Sequence, residues 1–95
     1  MREVYIELGA IVRECRTRQG MTQLDLARRL GYDSTQFVSL FERGMSKVPV
    51  NTLGQLIVIL GIPEKKIIKI LMSAYEEDLV SNISKGKAAA LNKVG

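Results

Sequence analysis

The sequence predicts an all-α domain of five helices, and three observations carry that expectation. Apolar residues recur at three- and four-residue spacing in five successive segments, which is the repeat of a helix with one buried face. Glycines fall between those segments, at Gly20, Gly31, Gly44 and Gly61, where helices end. No segment alternates apolar and polar residues with the period of two that a half-buried strand requires. At 95 residues, 46% hydrophobic and 25% charged, the chain suits a single soluble domain. A core of this size is modest, so burial against a partner would add to it.

The first helix is expected from about Val4 to Arg18. Val4, Leu8, Ile11 and Cys15 share one face, which makes Cys15 a core thiol rather than a reactive one. Arg13, Arg16 and Arg18 fall away from that stripe, and Gly20 suits the C-cap. The second helix spans Thr22 to Leu30. Thr22 is its N-cap, and Asp25 three residues on completes an arrangement like a capping box. Leu26, Ala27 and Leu30 face inward, and Gly31 stops the helix. The third begins at Ser34 or Thr35 and runs to Arg43, with Asp33, Ser34 and Thr35 competing for the N-cap. Val38 and Phe41 face the core, and Gly44 closes it.

The fourth helix is expected from Asn51 to Leu60, capped by Asn51 or Thr52, with Leu53, Leu56, Ile57 and Leu60 as its inner stripe. The fifth opens with Pro63 in its first turn and continues to about Asn82. It carries two adjacent apolar stripes. Ile67, Leu71 and Ala74 can close the core. Ile68, Met72, Tyr75 and Leu79 either broaden that inner face or meet a second copy of the chain. Residues 84–95 hold Lys85, Lys87 and Lys93 among small side chains and read as a flexible basic tail, which leaves residues 1–83 as the domain.

Several function classes drop out on composition. Histidine is absent and Cys15 is the single cysteine, so the commonest general base and the usual zinc ligands are missing. There is no glycine-rich phosphate loop. Glu76, Glu77 and Asp78 are consecutive in a helical pattern, so they point in different directions and suit a solvated face better than a catalytic set. No enzyme, cofactor or metal site is expected. A lone thiol forms no internal disulfide, no segment reads as a signal peptide, and the longest apolar run, Leu56 to Leu60, is too short to cross a bilayer. A cytoplasmic protein without a membrane partner is the expectation. A net charge of +4 is compatible with nucleic acid or an anionic surface.

A short second helix, a tight turn and a short third helix make the helix-turn-helix plan. Along it, Gly20-Met21-Thr22-Gln23, Leu26-Ala27, Leu30-Gly31 and Glu42-Arg43-Gly44 resemble the XRE or λ-repressor-like (Cro/C1-type) helix-turn-helix family. Asn51-Thr52-Leu53 and Leu60-Gly61-Ile62 continue the pattern. The resemblance covers about Leu8 to Leu71, and its strength lies in the ordered set rather than in any one piece. It implies a five-helix λ-repressor-like DNA-binding domain, acting as a bacterial or phage transcriptional regulator, most simply a repressor. It also implies a homodimer on a palindromic operator in double-stranded DNA.

The same resemblance, read with the physics of the plan, gives the candidate contacts. Thr22 and Gln23 stand at the start of the second helix, where free N–H groups and the positive helix end favour a phosphate. In the family this Gln touches the backbone and braces the recognition helix. The third helix should lie in the major groove with Thr35, Gln36, Ser39 and Arg43 outward. The Gln36 amide can pair with adenine at N6 and N7. Ser39 can meet a base or a phosphate, and Thr35 a phosphate or a thymine methyl. Each of these also has a plain reading as a capping or solvent-facing residue. Glu42 is expected to pair with Arg13 or Arg16 on the first helix. Lys47, after Gly44 and beside Ser46, resembles the family's phosphate contact behind the recognition helix.

The sequence departs from the family pattern in three places. Gly31 to Thr35 is one residue longer than the commonest turn, which shifts the base-contact numbering by as much as one. Phe37 lies beside Val38, so one of them must approach the surface, toward a thymine methyl or toward the second helix. Leu40 occupies a position that is often polar. Phe37, Leu40 and the fifth helix therefore also support an alternative: a protein-interaction module on the same fold, as a co-regulator or an antitoxin component.

Overall fold

The computed structural model describes residues 2–94. Among them lie five helices and no strand: α1 Arg2–Arg18, α2 Gln23–Arg29, α3 Gln36–Glu42, α4 Val50–Leu60 and α5 Glu64–Val94. The expected all-α, five-helix architecture is what the chain adopts. Leu8 of α1, Leu26 of α2, Val38 and Phe41 of α3, and Leu56 of α4 are the largest fully buried side chains. Each of the first four helices therefore turns its stripe onto one centre. Ile67 of α5 closes that centre, with Ile70, Leu71 and Ala74 packed beside it.

α1 packs most extensively on α3, and Gly9 sets how closely. A Cβ at this position would lie 2.8 Å from the Glu42 carbonyl oxygen and nearer still to that of Phe41. Backbone cannot swing aside as a side chain can, so only hydrogen fits there. Gly44 sets the other end of the contact. It takes φ +71° just past α3, and a Cβ there would sit 2.6 Å from the Ile6 Cα. The Met45 N–H then donates to the Leu40 carbonyl, the Schellman bond that ends a helix at such a residue.

Several local expectations are corrected. The buried line of α1 is Val4, Leu8 and Val12; Ile11 and Cys15 are half-buried on its flank. Arg16, expected to fall away from the stripe, is buried, because it has a carboxylate to meet. α4 starts at Val50 behind Pro49, so Asn51 and Thr52 lie inside the helix. Asn51 accepts a hydrogen bond from Gln55 Nε2 at 3.1 Å, and Thr52 is buried. Pro49 locks the extended entry and has no N–H to leave unpaired.

The largest correction concerns α5. The helix does not stop near Asn82, and no change of backbone marks residue 83: it continues to Val94 through the segment expected to be a tail. Its 31 residues give a rod about 46 Å long, in a molecule measuring 60 × 26 × 19 Å. Every described residue from Tyr75 to Lys93 is exposed, so the second half of the rod stands clear of the body. Ile68, Met72, Tyr75 and Leu79 are all exposed; that stripe does not broaden the inner face. No helix among the described residues is long and apolar enough to cross a membrane.

Candidate nucleic-acid interface

The helix-turn-helix begins with a closed cap. The Asp25 N–H donates to Thr22 Oγ1 at 3.0 Å, and the Thr22 N–H donates to Asp25 Oδ2 at 2.9 Å. This reciprocal pair is the capping box expected from the sequence. The Thr22 N–H and the hydroxyl beside it, helped by Arg28, hold the Asp25 carboxyl below the usual aspartate range. Thr22 is exposed.

One buried carboxylate ties the elements together. Arg16 Nε donates to Glu42 Oε2 at 2.6 Å and Arg16 Nη2 to Glu42 Oε1 at 3.0 Å, a bidentate pair. Arg16 Nη1 donates to the Met21 carbonyl at 2.8 Å, ahead of α2. Gln23 Nε2 donates to Glu42 Oε1 at 3.1 Å. Glu42 thus holds α1, the entry to α2 and the end of α3 in one hydrogen-bonded unit, with its side chain 2% exposed. Of the two expected partners, Arg16 is the one it takes; Arg13 is exposed. Among the described residues no buried side-chain N or O lacks a hydrogen-bond partner. Gln23 braces α3 as the resemblance implied, and its carbonyl oxygen is left to accept from elsewhere.

α3 starts at Gln36, with Thr35 in the capping position but without a side-chain cap bond. Ser34 Oγ instead accepts from the Gln36 N–H at 3.5 Å. Gln36, Ser39 and Arg43 follow one another at three and four residues along one edge of α3. Gln36 and Arg43 are exposed, and Thr35 and Ser39 are half-buried. Arg43 Nε donates to the Ser39 carbonyl at 3.2 Å, which lays the guanidinium back along the helix. Lys47 is exposed in the loop beyond Gly44, where Ser46 Oγ donates to its carbonyl at 3.0 Å.

Phe37 resolves the crowding beside Val38. Val38 is buried; the Phe37 ring, half-buried, stacks on Tyr32 with centroids 4.8 Å apart and lies parallel to Phe41 at 6.3 Å. Tyr32, from the lengthened turn, is its cover. Leu40 is half-buried as well. The residue that sequence reasoning missed is Gly9. Its position opposite the backbone of Phe41 and Glu42 shows only in three dimensions, because a glycine inside a helical repeat looks like a neutral gap.

A family model described as a helix-turn-helix domain matches residues 7–67, from α1 into the first turn of α5. The chain belongs to the helix-turn-helix domain family. Among solved structures it is similar to the clp gene regulator ClgR from Corynebacterium glutamicum. The likeness is 26% identity at a TM-score of 0.62, over 74% of this chain and 88% of that one. A second structure of that regulator shows the same identity and TM-score over 84% of this chain and 89% of the other. No curated protein matches.

Proposed function

We propose that the chain is a sequence-specific DNA-binding transcriptional regulator of the λ-repressor-like type, of bacterial or phage origin. In this reading it is a cytoplasmic repressor whose α3 enters the major groove of a palindromic operator. The observation that carries the reading is the edge of α3 that presents Gln36, Ser39 and Arg43, backed by the buried Arg16–Glu42–Gln23 unit. A base-reading side chain discriminates only if its helix is held in a fixed pose, and that unit supplies the hold. Thr22, Gln23 and Lys47 flank the same edge and would meet phosphates, with Thr35 at its start. The similar structure is that of a gene regulator, which agrees with this reading.

Two copies suit the function, because paired recognition helices one DNA turn apart read two half-sites. Selection from a random DNA pool tests the whole reading. The expected outcome is an enriched inverted repeat with half-site centres about 10 base pairs apart. Failure to enrich any sequence would overturn it. Arg43 and Lys47 are assigned to the backbone, so replacing either by Ala should weaken binding to all sequences alike and reduce the salt slope by about one unit. A variant that changes the preferred sequence at unchanged slope would move that residue to the bases.

A further inference from the structure

The exposed face of α5 has a regular geometry that singles out its partner. At about 100° per residue, Ile68, Met72, Tyr75, Leu79 and Ile83 fall within an arc of about 80°, and Gly86 and Ala90 continue it. A hollow of about 290 Å³ opens on this face between Met72, Tyr75, Glu76 and Leu79. Those positions are i, i+3, i+4 and i+7, the four corners that receive one side chain of a facing helix.

Resting on the reading of the chain as a dimeric regulator, we infer that this face pairs with the same face of a second copy, antiparallel, crossing at about residue 81. Three features choose this arrangement over a parallel one. The first is bulk. The large side chains Met72 and Tyr75 lie in the first half of the face, and Gly86 and Ala90 in the second. Antiparallel pairing sets Tyr75 over Gly86 and Met72 over Ala90, with Leu79 against Ile83 at the centre. A parallel pair would crowd bulk at one end and leave a gap at the other. The second is charge. Asp78 borders the face in the acidic stretch and Lys85 borders it on the same side in the basic stretch. In this register each Asp78 meets the other copy's Lys85, whereas a parallel two-fold places the second copy's Lys85 on the opposite flank, out of reach of Asp78.

The third is length. The turns of α5 anchored in the body, Ile67 to Ala74, are centred about ten residues from the crossing. At 1.5 Å per residue the two bodies then sit about 30 Å apart along the rods, close to the 34–36 Å of one DNA turn. The contact is isologous, so it closes with two copies and does not propagate.

Cross-linking decides between the arrangements. In a Cys15→Ser background, Met72→Cys alone and Ala90→Cys alone should give no disulfide-linked dimer, while an equimolar mixture of the two should link readily. Efficient linking by either single variant shows a parallel pair and overturns the proposal. No linking by the mixture, in protein that keeps its helical content, overturns it also. Charge exchange checks the register without touching the core. Asp78→Lys or Lys85→Asp alone should weaken association about fivefold, and the double exchange should restore it. Two neutral single variants would contradict the register. Salt-dependent retention of DNA by a folded monomer would leave the DNA-binding reading intact while the pairing fails.

Discussion

The body and the outer half of α5 use similar residues to opposite ends. In the body, each charged group that goes inside has a matched partner: Arg16 meets Glu42 and the Met21 carbonyl, and Gln23 takes the remaining approach to Glu42. Along α5 beyond Ala74, apolar and charged side chains alike remain in solvent. An isolated helix is marginal in water, so the outer rod depends on its own propensity or on a covering partner. The body depends on contacts far apart in sequence. Sequence periodicity looks the same in both; what differs is whether another element lies opposite.

Breaking the body at its polar centre should give the largest effect. Glu42→Ala leaves the Arg16 guanidinium buried beside an emptied site, and loss of one partner of a buried pair costs about 3–5 kcal/mol. Urea unfolding should read this as a lower midpoint, whereas Lys87→Gln on the exposed rod should leave the midpoint unchanged. Equal effects at the two sites would erase the contrast. Next in size is Gly9→Ala. Alanine is the better helix former, but its Cβ meets two carbonyl oxygens of α3, and overpacking of this kind costs about 1–3 kcal/mol. A stabilised Gly9→Ala variant would mean that α1 and α3 are free to separate.

The smallest expected effect lies at the cap of α2. Thr22→Ala removes the side chain that accepts from the Asp25 N–H, at about 1 kcal/mol. The Asp25 side of the same cap has a pH dependence of definite sign, because its carboxylate accepts from the Thr22 N–H. The folded state holds the Asp25 carboxyl below its ordinary value. The contribution is therefore full above the ordinary aspartate range, near pH 4, and is lost as pH falls through the lower folded value. The gap in unfolding midpoint between parent and Asp25→Ala should narrow as pH drops from about 6 to about 3. A gap that widens in acid would contradict the cap.

Local signals made most of this architecture legible in the sequence. Glycines closed the helices, Thr22 and Asp25 announced the start of α2, and Glu42 was expected to find an arginine on α1. Features set by what lies opposite were not legible. Gly9 carries no mark of the α3 backbone above it, and Arg16, one of two expected partners for Glu42, carries no mark of being buried with it. The outer part of α5 was hidden for another reason. Ser81, Asn82, Ser84 and Gly86 are poor helix formers and read as a break. Lys87-Ala88-Ala89-Ala90-Leu91, strong formers, resume the helix beyond them. The edge of α3 was readable only to within one residue, because Tyr32, in the lengthened turn, serves as cover for Phe37.

The central claim is that the α3 edge reads bases while the buried unit behind it holds the pose. Gln36 tests this most directly: it is exposed, its replacement disturbs no core contact, and its amide is suited to adenine. The measurement is the ratio of specific to non-specific DNA affinity, at one fixed salt concentration, for the parent chain and for Gln36→Ala. The account predicts a ratio lower by the equivalent of about 1–3 kcal/mol, with discrimination relaxed at one base pair of each half-site. An unchanged ratio in a folded Gln36→Ala variant would contradict it.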